Sequence, residues 1–173
     1  MSKQAPPPPN SEAVEAPLPF AGRPEGFAGT SLEQRVQELA DREEIRDLIA
    51  TYAHRVAHGL SNADLFTDDG AYIHRRSPEA EPEVARGRVE LDAHYVERPG
   101  SAGVATPMIH NPLVSVSGDE ASSFCSIELR LWRDGASALC SGFYRDRLRR
   151  EAGRWKFVER EVSFFHWTAP ERG

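Results

Sequence analysis

Four strand-like stretches follow one another near the C-terminal end, and only short turn signals part them. Pro107–Ser117, Ser122–Trp132, Ala136–Arg149 and Arg154–Trp167 are separated by Gly118-Asp119-Glu120, Arg133-Asp134-Gly135 and Glu151-Ala152-Gly153. Connections this short join only neighbouring strands of opposite direction, so the pattern predicts an antiparallel meander. Within it, Cys125, Ile127, Leu129 and Leu131 point one way and Phe124, Ser126, Glu128, Arg130 and Trp132 the other. A sheet with such an apolar face needs a cover, and the helical patterns that could supply one lie upstream.

The first of these opens at Ser31-Leu32-Glu33-Gln34, a capping-box pattern ahead of Val36 and Leu39. Asp41-Arg42-Glu43-Glu44 repeats the signal and predicts a break or kink there. Ile45, Leu48, Ile49, Tyr52 and Val56 then form one apolar helix face ending near Gly59. Leu60–Phe66 reads as a short helical turn, Thr67-Asp68-Asp69-Gly70 as a turn and Ala71–Arg76 as a short strand. Polar residues 77–86 carry two prolines and read as a loop. Gly87 opens a second helix with Val89, Leu91, Tyr95 and Val96 on its apolar side, closed by Pro99-Gly100-Ser101. Residues 1–30 hold seven prolines, including the run Pro6–Pro9, and read as a flexible arm. The expected organisation is this arm followed by a single domain over 31–173. Helices first and strands last give an α+β fold: a cone of strongly curved, mainly antiparallel sheet closed by helices around a pocket.

Composition narrows the function. With 21 Lys+Arg against 27 Asp+Glu the formal charge is -6, which argues against a nucleic-acid partner. No apolar run is long enough to predict a membrane span, and no secretory signal is apparent. Cys125 and Cys140 are too few for a disulfide scaffold and read as buried thiols in a reducing, cytoplasmic setting. No dinucleotide fingerprint, phosphate loop or nucleophile elbow occurs, so no cofactor is expected. His54 and His58 are an i, i+4 pair without a specified third ligand, so no metal is expected either.

Glu44-Ile45-Arg46-Asp47-Leu48-Ile49-Ala50-Thr51-Tyr52-Ala53 and Leu65-Phe66-Thr67-Asp68-Asp69-Gly70 begin an ordered set of short motifs. His110-Asn111-Pro112-Leu113-Val114-Ser115-Val116 before Gly118-Asp119-Glu120-Ala121, Gly142 to Leu148, and Gly153-Arg154-Trp155-Lys156-Phe157 continue it. Together they resemble the SnoaL-like, scytalone-dehydratase-related branch of the nuclear-transport-factor-2-like (NTF2-like) superfamily, over nearly all of 31–167. The resemblance implies a pocket His oriented by an Asp, removing a proton beside a carbonyl and returning it to a departing hydroxyl. Imidazole titrates near neutrality and can serve both steps, while a carboxylate behind it fixes the tautomer. Tyrosines would hold the carbonyl oxygen. Dimers or trimers built on the open sheet face are also implied.

Carried onto this chain, the strand histidine falls at His110, the first choice for the base. His74, Tyr52 and Tyr144 are candidates to place the carbonyl. His58, Asp146, His166 and Trp167 are candidate substrate contacts, with Asp146 also a candidate partner for the base. The family Asp falls at Ala57, or at His58 if the register slips by one, so the usual orienting carboxylate is missing. The leading expectation is a cofactor-independent dehydratase or isomerase acting on a small apolar oxygenated metabolite such as a polyketide, steroid or aromatic compound. The alternative is a non-catalytic ligand-binding module or a subunit like the small β subunits of ring-hydroxylating dioxygenases.

Overall fold

Helix α1, Leu32–Ala57, carries the chain from the arm onto the sheet. A computed structural model describes residues 31–75, 81–96, 104–133, 136–168 and 171–172. The arm over 1–30, the helix stop at 99–101, part of the 77–86 loop and part of the 133–135 turn lie outside these residues.

The capping box forms as read: the Gln34 N–H donates to Ser31 Oγ at 3.3 Å, and the Ser31 N–H donates to Gln34 Oε1 at 2.8 Å. At the other end Gly59 takes φ +66°, and the Leu60 N–H donates to the Arg55 carbonyl at 2.9 Å. Only a left-handed residue lets the chain double back in this way, which favours glycine there. The break expected at Asp41 does not occur. That carboxylate is buried inside the helix and accepts from Arg150 at 2.7 Å, Gln37 at 2.9 Å and Trp155 Nε1 at 3.4 Å. A carboxylate bound by three donors is not available to start a second helix.

A 3-10 turn, Ala63–Leu65, leads into strand β1, Phe66–Arg75. The residues expected to form a turn, 67–70, instead lie within β1, where its register against the sheet shifts between Phe66 and Ala71. Their turn chemistry makes an irregularity rather than a reversal. Strand β2, Glu83–Arg86, replaces part of the expected loop by pairing antiparallel with β1. Helix α2, Gly87–Val96, buries Leu91 but leaves Val89 83% exposed, because two residues along a helix is about 200° around it.

The meander follows as β3 (Val104–Ser117), β4 (Glu120–Arg133), β5 (Ala136–Glu151) and β6 (Arg154–Trp167), with a two-residue β7 at Glu171–Arg172. Strand order is β2-β1-β6-β5-β4-β3, with β7 against β5. All described pairings are antiparallel except β1 with β6, so the sheet is open and mixed. Helix α1 lies against β3 and β6, and α2 against β1. Ile45, Ile49 and Tyr52 of α1 meet Phe157, Val162 and Tyr144 in one core.

Three bulges interrupt the meander, at Asn111–Pro112 on β3 and at Val158 and Phe165 on β6, and the first two decide which side chains enter that core. On β3, His110 pairs with Ser126 but Leu113 pairs with Phe124, so one residue is extra. Asn111, at φ +52°, and Pro112 absorb it. On β6, Phe157 pairs with Leu148 but Glu159 pairs with Arg147, leaving Val158 extra. Each extra residue reverses the alternation beyond it.

The outer face carries Phe124, Phe143 and Phe165, with neighbouring ring centroids 5.0 Å apart. Beside them lie Arg145 with Glu161 and Arg147 with Glu159, each at 3.9 Å. Arg150 instead turns to clamp α1 through Asp41.

Two stability changes follow. Burial pushes the Asp41 carboxyl up, but hydrogen bonds from Arg150, Gln37 and Trp155 outweigh it and hold the group below its ordinary 3.8. Its stabilisation is therefore full above that value and lost as pH falls through the lowered one. Asp41→Asn should cost about 1–3 kcal/mol at neutral pH in urea unfolding, with the cost shrinking towards acid. Gly142→Ala should cost about 1–3 kcal/mol, because the new methyl meets the Ser163 carbonyl and stands 3.0 Å from Phe164 Cδ1. An unchanged midpoint in either variant would contradict the packing described.

Candidate active site

Strand register lines up two rows of side chains on the concave face. Ala85, Tyr72, Arg160, Asp146, Ser123 and Val114 occupy successive strands from β2 to β3, and all six are buried. Two residues along each strand, Glu83, His74, Val162, Tyr144 and Cys125 form the next row. The rows stand about 6–7 Å apart, the pleat repeat of a strand. Tyr52 reaches the cluster from α1 and Tyr95 from α2, and the hydroxyl of Tyr95 donates to that of Tyr52 at 3.1 Å. All four tyrosines of the chain thus surround one arginine.

Arg160 is fully buried. Its guanidinium carbon lies 4.1 Å from the ring centroid of Tyr52, 3.9 Å from Tyr144 and 4.6 Å from Phe157. Asp146 Oδ2 is 3.5 Å from Arg160 NH1 and accepts from Ser123 Oγ at 2.5 Å. Among the described residues none of the three guanidinium nitrogens has a hydrogen-bond acceptor, and Asp146 Oδ1 has no donor. Guanidinium keeps its proton even here: burial pulls it down, and Asp146 followed by Tyr144 and Tyr52 more than offset that. Burial pushes the Asp146 carboxyl above its ordinary value, with Arg160 and Ser123 drawing it part of the way back. Tyr52, Tyr95 and Tyr144 are raised, chiefly by burial, so their hydroxyls remain protonated donors. Burial also lifts Cys125 to about 12, leaving it a thiol.

His74 stands at the end of this cluster. Its side chain is 13% exposed, its Nδ1 lies 3.7 Å from Glu83 Oε2, and its ring meets Phe164 edge-on at 5.7 Å. Phe164 in turn carries Trp167 at 5.3 Å, so Trp167 leans on the same wall although half of it is exposed. Tyr52, Tyr144, Asp146 and His74 are therefore brought together on one face.

Three candidates are placed elsewhere. His110 is exposed and in register with Ser126 and Phe143 on the outer face, because the bulge at Asn111–Pro112 reverses its side. The described interior positions of β3 are Ala105, Pro107, Ile109, Val114 and Val116, none of which titrates. His58 is exposed at the end of α1, where its Nδ1–H donates to the His54 carbonyl at 2.7 Å. His166 is exposed on β6. Asp146, considered as a partner for a histidine, is bound instead to Arg160 and Ser123.

Sequence reasoning missed Arg160, Tyr72, Tyr95, Ser123 and Glu83. Alternation from Trp155 and Phe157 points Glu159 inward and Arg160 outward, and only the bulge at Val158 reverses this. A signal was nonetheless present, since Arg160 is in phase with Val162 and Phe164. Among the described residues, no three His, Cys, Asp or Glu converge as a metal set. No helix of the described residues is long and apolar enough to cross a membrane.

Known proteins share this architecture. An NTF2-like protein with a cystatin-like fold from Novosphingobium aromaticivorans superposes with a TM-score of 0.64 at 26% identity, covering 80% of this chain and 92% of that one. A hexachlorocyclohexane dehydrochlorinase (LinA type 2) gives 0.65 at 20% identity, covering 80% and 94%. The β subunit of a protein described as an aromatic-ring-hydroxylating dioxygenase, also from N. aromaticivorans, gives 0.63 at 20%, covering 76% and 92%. None of the curated proteins matches by sequence. The SnoaL-like domain family, however, matches residues 37–161, and with the helix-covered mixed sheet and its interior cluster this establishes that the chain belongs to that family.

Proposed function

We propose that this chain is a cofactor-independent lyase or isomerase acting by acid–base chemistry on a small oxygenated metabolite. The observation that carries the reading is the placement of His74 and Arg160 in adjacent rows of one buried face, the arginine donors having no hydrogen-bond acceptor among the described residues. His74 takes a proton from the carbon next to a carbonyl. Arg160 and the protonated hydroxyls of Tyr52 and Tyr144 hold the oxygen as negative charge develops on it. The imidazolium then returns the proton to a hydroxyl on the neighbouring carbon, which leaves as water while the double bond forms. Glu83, beside Nδ1, supplies the orientation that an acid on α1 would give in relatives, where this chain has Ala57 and an exposed His58. In this reading the base is His74 rather than His110, since His74, unlike His110, shares the face of the tyrosines.

A second reading, a non-catalytic subunit or binding module, is favoured by the apolar interior of β3. The resemblance to a dioxygenase β subunit is compatible with it. The first reading also has the chain act in the cytoplasm and self-associate through the outer face, where Met108, Leu113, Phe165 and Trp132 are exposed.

The test is turnover of a panel of cyclic β-hydroxy ketones, followed by enone absorbance. The wild type should convert members of the panel, and His74→Gln should lower kcat/KM by about 10²–10⁴ without changing the melting temperature. Glu83→Gln should shift the pH–rate profile with a smaller loss. An undiminished rate in His74→Gln would remove His74 as the base, and an inert wild type would favour the non-catalytic reading.

A further inference from the structure

Arg160 is held in an unusual way. The rings of Tyr52, Tyr144 and Phe157 lie within 3.9 to 4.6 Å of its guanidinium carbon, so aromatic surface lines the cation. The guanidinium fork donates in its own plane, where two parallel N–H bonds match the two oxygens of a carboxylate. The internal carboxylate does not make that match. Asp146 approaches through one oxygen at 3.5 Å, that oxygen is already bound by Ser123, and the other has no donor. Leaving buried charged donors unpaired is costly, and native proteins do so where a ligand or water completes them. A neutral carbonyl presents one oxygen to the fork; a carboxylate presents two, with a full charge. Tyr72, Tyr95, Phe66, Val162 and Phe164 belong to the same core cluster, so the groups around the cation are largely aromatic.

We propose that the interior site takes a ring-bearing carboxylic acid, its carboxylate paired in plane with Arg160 and its ring among the tyrosines. This rests on reading the interior cluster as the small-molecule site, and it names the class of molecule held there. Asp146 competes for the same cation, so the ligand binds against a resident negative charge.

Equilibrium binding of 2-naphthoate and of the neutral isostere 2-naphthamide to the full chain, by calorimetry, tests it. Naphthoate should bind about ten- to hundredfold more tightly than naphthamide. Asp146→Asn keeps the shape and the Ser123 contact but removes the competing charge. It should tighten naphthoate about tenfold and leave naphthamide unchanged. Arg160→Lys, which keeps the charge and loses the fork, should erase most of the preference. Circular dichroism confirms that each variant is folded. Equal affinity for acid and amide, no binding of either to the folded wild type, or weaker naphthoate binding in Asp146→Asn would overturn the proposal. The acid–base reading stands or falls separately: His74→Gln should keep the naphthoate preference. Ketone turnover without that preference would sink the carboxylate proposal alone.

Discussion

A fully buried guanidinium sets the terms for the rest of this fold. It cannot shed its proton, so the interior must supply a countercharge and polarisable faces or exclude the side chain altogether. Asp146 of β5 supplies the charge, Ser123 of β4 fixes that carboxylate, and Tyr52 of α1 and Tyr144 of β5 supply faces. Tyr72 of β1 and Tyr95 of α2 close the ring around them. Most major elements contribute one side chain to a single charged centre. A slip of β5 or β6 by one residue would strand the charge, at a cost of about 3–5 kcal/mol, so the centre selects one register.

Much of the architecture was legible because local chemistry and global packing agree. Ser31 and Gln34 mark the start of α1, Gly59 its end, and the three short turns dictate the meander whatever the helices do. Legibility failed where a residue was claimed by a distant partner. Asp41 looks like a cap in sequence, but its carboxylate belongs to Arg150 and Trp155, far along the chain. Val89 looks apolar enough for the core, yet Leu91 determines which side of a short helix faces inward.

The site divides along the same line. Tyr52, Tyr144, Asp146 and His74 sit on regular stretches, where counting by turns or by twos gives the right face. His110 and Arg160 lie beyond positions where one inserted residue reverses the count. The bulge on β3 turns a histidine out and that at Val158 turns an arginine in, so the interior is less basic in the titrating sense and more cationic in the permanent sense than alternation implies. No local propensity announces such an insertion; Asn111 at positive φ, followed by Pro112, is the nearest thing to a mark.

Among the described residues β3 ends the sheet, and no described strand pairs with the outer margin of its 14 residues. Such a margin would ordinarily recruit any extended segment that drifted by. Pro107 and Pro112 remove amide donors along it, and the bulge between them bends the line on which a new strand would have to lie. The irregularity that moves His110 out of the interior therefore also keeps β3 a poor template, and so guards the chain against growing edge to edge into fibres.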